Sequence, residues 1–230
     1  MTGFVKIELN YMNITLYRGI SIPAGHESEF CSRVCSDGIA EEPHAIRYIG
    51  LKHLKLDDIR TLPIGDIQLR EDANRWSFAC GDREGACFYA YRNAPKRPIL
   101  LRLSVDIKSV HVDGRDFLNT AFGFCQSGDK EGKTNLVKRL FGKPILPYWQ
   151  RALECDSPTD RQKVAEAAAI DERVILAHLA NRVPIFGRYN TRFCSAFAVQ
   201  LPIQGANITI DKVRTPWQDG ISHVDLSEIR

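Results

Sequence analysis

Ile99-Leu100-Leu101-Arg102-Leu103-Ser104-Val105-Asp106-Ile107 is the stretch that decides the fold class. Leu101, Leu103 and Val105 alternate with Arg102, Ser104 and Asp106, which puts the apolar side chains of an extended chain on one face and the polar ones on the other. A strand with one buried face is predicted there. Upstream, Arg75-Trp76-Ser77-Phe78-Ala79 reads as a shorter strand, with Asp82 placed to cap a helix over about 83–92. Further back, residues 3–20 alternate loosely and are rich in Ile, Val and Tyr, predicting one or two strands that end at Arg18-Gly19.

Between these strands, His26 to Cys35 and Lys55 to Ile59 have the composition of short helices, with Pro43 and Pro63 as breaks. Val110 to Val112 is expected to continue the ribbon of Ile99–Ile107, and Asp113-Gly114 to turn the chain toward Phe117-Leu118. From Gly123 to Pro147 the chain is rich in Gly and Lys and reads as an exposed basic segment with one short helix. Ser157-Pro158-Thr159-Asp160 is a helix start: a Ser cap, Pro at the first helical position, and an acid three residues after the cap. The alanine-rich helix that follows runs toward Asn181 with a break near Asp171, and residues 195–201 and 206–213 return to strand, the first ended by Pro202. Strands separated by irregular stretches, with helices early, in the middle and late, point to an α+β fold. One domain over 1–230 is expected, with 113–180 as a helical and basic insertion.

A chain of 230 residues can bury a core without disulfide or metal support, and 44% hydrophobic with 26% charged residues is an ordinary globular composition. A net charge of +3 is too small for a dedicated nucleic-acid module, so any contact of that kind must come from a local patch. Lys6 and Glu8 interrupt the N-terminal apolar residues, unlike a secretory signal, and no run of about 18 uncharged apolar residues suggests a membrane span. The seven cysteines, odd in number and scattered, read as reduced thiols of a cytoplasmic protein. Cys31 and Cys35 lack a second ligand pair at zinc spacing, so no metal site is expected.

Two motifs carry chemistry. Leu16-Tyr17-Arg18-Gly19 places an Arg at a strand end, where a guanidinium fork can hold phosphate and Gly19 lets a ligand approach the backbone. Trp76-Ser77-Phe78-Ala79 then leads into Ala86-Cys87-Phe88-Tyr89-Ala90. In this order the two segments resemble the first two of three signatures of the ADP-ribosyltransferase family. The resemblance covers roughly 10–110 and 182–215 and leaves 113–180 without a counterpart. It implies two small facing sheets with NAD in the cleft between them. It also implies that Tyr17, Arg18 and Gly19 hold NAD, that Ser77 orders the cleft around the nicotinamide ribose, and that Trp76, Phe78 or Tyr89 packs on the nicotinamide ring.

The third signature of that family is a Glu at the start of a late strand, whose carboxylate stabilises the oxocarbenium ion as nicotinamide leaves. In Cys194-Ser195-Ala196-Phe197-Ala198-Val199 its place falls at Ala196. Three explanations stand: an inactive Glu-to-Ala form, a binder or pseudoenzyme without the Glu, or a carboxylate supplied from elsewhere, with Glu154, Glu166 and Asp211 as candidates. The resemblance thus implies a mono-ADP-ribosyltransferase of toxin or phage-conflict type, inactive in this form, with a neutralising antitoxin as a partner. The alternative is a non-catalytic module that keeps the cleft to bind a nucleotide or nucleic acid.

The loop before the late strand carries Arg182, Arg188 and Arg192 among Phe186, Tyr189 and Phe193, with no acid between Arg182 and Phe193. Arg188, Tyr189 and Arg192 suit a single-stranded RNA or DNA acceptor, or an acidic protein surface. Ser127-Gly128-Asp129-Lys130-Glu131-Gly132-Lys133-Thr134 ends like a phosphate-binding loop, but it opens on Ser and sets two acids where phosphate would approach. It reads more simply as a basic loop. The six histidines are dispersed, and His178 reads as a packing or surface residue.

Overall fold

The computed structural model describes residues 12–40, 48–50, 70–72, 76–92, 96–113, 118–187, 191–215 and 222–225. The expected strands before residue 12, the helix at Lys55–Ile59, Pro43, Pro63, Arg75 and the Gly114–Phe117 turn lie outside them.

Along the chain, strand β1 (Asn13–Ile22) is followed by helix α1 (Glu27–Asp37) and the short strands β2 (Tyr48–Gly50) and β3 (Arg70–Asp72). Strand β4 (Trp76–Cys80) then runs into α2 (Arg83–Tyr91), β5 (Arg97–Asp106) and β6 (Val110–Val112). A helical layer comes next: α3 (Asn119–Gly123), α4 (Lys130–Phe141), α5 (Leu146–Leu153), α6 (Pro158–Ala169) and α7 (Glu172–Leu179). The chain closes with β7 (Ile185–Gly187), β8 (Thr191–Phe193), β9 (Ala196–Gln200), β10 (Ile208–Asp211) and β11 (Val224–Asp225). The class is α+β. No helix among the described residues is long and apolar enough to cross a membrane.

Six strands form one antiparallel sheet in the order β10-β5-β1-β4-β9-β6. The period-two stretch is β5, which pairs with the whole of β1 from Asn13↔Asp106 to Ile22↔Arg97. Leu16, Leu101 and Leu103 are buried on one face, while Arg102 and Ser104 are exposed on the other. The middle of the sheet is different. Between β1 and β4 the described residues have one registered pair, Tyr17↔Cys80. Two half-sheets, β10-β5-β1 and β4-β9-β6, therefore meet at a single point and part beyond it.

Val110–Val112 does not continue the β5 ribbon. Asp106 accepts the Lys108 N–H (3.1 Å) and the Ser109 hydroxyl donates to the Asp106 carbonyl (2.7 Å), so local bonds fold 107–109 into a helical turn. That turn carries β6 to the far edge of the sheet, where Val112 faces Phe197. The segment 123–147 is also more structured than its composition suggests. Val137, Leu140 and Phe141 recur at helical spacing and are buried, which fixes α4 as an amphipathic helix under its lysines.

Asp82 caps α2 by accepting the Gly85 N–H at 2.7 Å, as its position predicts. Ser157 caps α6 through the Asp160 N–H (3.0 Å), and the expected break falls at Ile170-Asp171, where Asp171 caps α7 through Arg173. The helical layer packs on the sheet through ring contacts, Phe141 stacking on His178 at 4.7 Å and His178 meeting Phe197 at 5.4 Å. Closure of α2 on β1 depends on Gly19. A Cβ there would strike the Ala86 carbonyl and lie 2.8 Å from the Ala90 nitrogen, so the glycine serves helix packing as well as access to the cleft.

Candidate functional site

Directly opposed residues of an antiparallel pair share a face, so the register sorts the side chains of the central strands. Phe78 and Cys80 share a face with Ala198, Ala196 and His111, and through Tyr17↔Cys80 with Tyr17 and Gly19. Ser77 and Ala79 lie on the other face with Val199 and Phe197.

Where β1 and β4 part, a cavity of about 250 Å³ opens, lined by Tyr17, Arg18, Gly19, Phe78, Ala79, Cys80, Tyr89, Asp113 and Ala196. A larger cavity of about 550 Å³ lies against α1 and β1, with Ile20, Phe30, Arg33 and Leu101 among its walls. Arg18 belongs to both. Its guanidinium reaches across the opening and donates to the Phe78 carbonyl at 2.7 Å, which helps fix its place.

The floor of the smaller cavity is held by buried polar groups. Asp82 accepts the Cys194 and Ser195 N–H groups at 2.7 and 3.2 Å, and Asn181 donates to the Cys194 carbonyl at 2.6 Å. Burial pushes the Asp82 pKa up, against the lowering effect of these backbone donors. The Ala196 N–H donates to Nε2 of His178 at 3.2 Å. Nε2 must then be the acceptor, so the proton sits on Nδ1 and is donated to the Leu140 carbonyl at 2.9 Å. Complete burial lowers the His178 pKa to about 4, which keeps the ring neutral and in that tautomer at pH 7.

Electrostatics show which charges converge on the cleft. Burial raises the Cys80 thiol pKa well above its ordinary value, Asp82, Asp113 and Cys194 add to the rise, and Arg18 opposes it. Cys80 is a protonated wall group and no nucleophile. Over the Tyr17 ring, 5.2 Å from its centre, lies the Arg83 guanidinium, which pairs with Asp211 at 2.7 Å.

The structure brings Tyr17, Arg18, Gly19, Tyr89 and Ala196 to one cavity. Two of the expected residues are not among its walls. Ser77 is fully buried on the other face of β4 and is not among the residues that line this cavity. Trp76 is buried further along the strand, its ring 4.5 Å from His111, and also does not line it. Arg188 and Tyr189 lie outside the described residues. Arg192 sits between the rings of Phe88 and Phe186, 5.4 and 4.7 Å from their centres.

Of the proposed substitute carboxylates, Glu154 pairs with Arg151, Asp211 with Arg83, and Glu166 is buried in α6 within reach of the Asn119 amide at 3.4 Å. Lys133 turns inward and donates to the Phe124 carbonyl and the Ser127 hydroxyl, both at 2.9 Å, while Asp129 caps α4. The phosphate-loop look-alike therefore folds on itself. Sequence reasoning missed Asp113, which it read as part of a turn. The signal was its place one residue beyond Val110–Val112, but it becomes visible only once β6 is paired with β9. No family model, curated protein or solved structure matches the chain.

Proposed function

We propose that the chain binds NAD in the paired cavities and acts as an ADP-ribosyltransferase. The observation that carries this reading is that Arg18 lines both cavities. NAD is two nucleosides joined by a pyrophosphate. Two cavities that share one guanidinium suit that ligand, since Arg forms paired, charge-assisted bonds to phosphate oxygens. The smaller cavity offers the Tyr89 and Phe78 side chains for the nicotinamide ring, and the larger offers Phe30 and Ile20 for adenine. Both volumes fall near the usual range of small-ligand pockets, about 300–1,000 Å³.

The acceptor is a single-stranded nucleic acid or a protein side chain, approached from the β7–β8 side where Arg192, Phe186 and Phe88 cluster. A toxin-like effector of this kind acts in the cytoplasm and has a neutralising partner. The reading of a non-catalytic binding module draws its support from Ala196, which carries no chemistry. The test is to express the chain with its nucleic acids and proteins recovered for mass spectrometry. The transferase reading expects ADP-ribose on one of those classes. A chain that binds NAD yet leaves every class unmodified and releases no nicotinamide is either the inactive transferase or the binding module, and Ala196→Glu separates them, since only the transferase gains nicotinamide release.

A further inference from the structure

We infer that Asp113, and no residue at position 196, supplies the carboxylate of this cleft, so that the chain as it stands breaks the nicotinamide–ribose bond. The inference rests on the NAD reading above. Its basis is the β6–β9 register. Val112 faces Phe197, and the Asp113 N–H donates to the Ala196 carbonyl at 2.9 Å, so Asp113 is the next residue opposite Ala196. Opposed residues of such a pair have Cβ atoms about 4.5–5.5 Å apart on the same face. The Asp113 side chain therefore springs from the neighbouring strand into the space that a longer side chain at 196 would fill. Alanine at 196 leaves that space open.

Asp113 is 4% exposed and lines the same cavity as Arg18 and Tyr89. Among the described residues it is the acidic side chain of that cavity. Other acids are placed differently. Asp82 is engaged by three backbone N–H groups, and Glu29 and Asp37 line the larger cavity from α1. Behind the site, Glu166 has its pKa raised to about 8, by burial first and then by the Asp113 charge, with the Asn119 amide opposing.

In the reaction, the bond from C1′ of the ribose to the nicotinamide nitrogen breaks and its electron pair leaves with the ring, giving neutral nicotinamide. The Asp113 carboxylate stabilises the electron-poor C1′. Water, or an acceptor hydroxyl or amine, forms the new bond to C1′ and gives its proton to that carboxylate, which passes it to solvent. NAD and water thus yield nicotinamide, ADP-ribose and a proton.

The test measures nicotinamide release and, in parallel, NAD affinity by calorimetry, for the unmodified chain, Asp113→Asn and the double variant Asp113→Asn/Ala196→Glu. The unmodified chain is expected to release nicotinamide. Asp113→Asn should lower kcat by about 100-fold or more while NAD affinity stays within about threefold, the signature of an interaction made in the transition state. Returning a carboxylate from the adjacent strand in the double variant should restore release. Equal rates with and without Asp113 overturn the inference, as does a chain that binds NAD and releases no nicotinamide. A loss in Asp113→Asn that follows loss of folding, with no return in the double variant, overturns it too. Absence of NAD binding by the unmodified chain removes the NAD reading itself.

Discussion

His178 accepts the backbone N–H of Ala196 at 3.2 Å while donating to Leu140, so one neutral imidazole joins the helical layer to the first residue of β9. Its pKa is near 4 in the fold against 6.5 for the free side chain. The unfolded chain therefore binds more protons between these values. The contribution of His178 is fully present above pH 6.5 and is lost as pH falls through about 4, at most about 3 kcal/mol. Urea unfolding from pH 7.5 to 4 should show this acid loss. His178→Leu should be less stable at pH 7.5 by about 1–3 kcal/mol, from the unpaired groups it leaves, and should have a flatter acid limb.

Glu166 has the opposite sign. Its pKa is raised from 4.5 to about 8, so the folded chain keeps a proton that the unfolded chain releases, and stability falls as pH rises across that window. Glu166→Gln removes this penalty and retains an oxygen for the Asn119 amide. At pH 8 it should unfold at higher urea, by about 2–4 kcal/mol, and at pH 4.5 the difference should vanish. A variant less stable than the parent at pH 8 would show that the charged form has partners that compensate its burial.

Gly19→Ala should lower stability by about 3 kcal/mol, since the new methyl meets the backbone of α2 and only movement of the helix relieves it. Thermal unfolding checks this. An unchanged melting temperature would mean that α2 packs less closely on β1.

Arg192 and Arg188 should separate. Arg192→Gln removes the cation between Phe88 and Phe186 and should cost about 1 kcal/mol of stability. If Arg188 meets phosphate, Arg188→Gln should leave stability intact and reduce the log–log salt slope of single-stranded RNA binding by about 0.7. Should the unmodified chain bind no nucleic acid at low salt with NAD present, the acceptor is a protein.

Local signals carried most of the fold. Alternation at Leu101, Leu103 and Val105 located β5, Asp82 and Ser157 located two helix starts, and Asp171 located the break between α6 and α7. Residues whose place depends on pairing between distant strands were less legible. Ser77 was assigned to the cleft because its neighbours fit a motif, but which face of β4 it occupies is decided by the register with β9. Asp113 was overlooked for the same reason, since an Asp-Gly dipeptide reads as a turn until β6 is known to lie beside β9. Arg18 and Tyr89 were legible because each lies on an element set by local pattern, β1 and α2, that borders the opening.

The central claim is that one ligand spans both cavities with its pyrophosphate on Arg18. Calorimetry of NAD, AMP and nicotinamide mononucleotide against the unmodified chain and Arg18→Ala tests it most directly. NAD should bind more tightly than either half, and Arg18→Ala should weaken NAD by about 1.5–3 kcal/mol, the scale of hydrogen bonds to a charged group. AMP binding as tightly as NAD, or NAD binding Arg18→Ala and the parent chain equally, would contradict it.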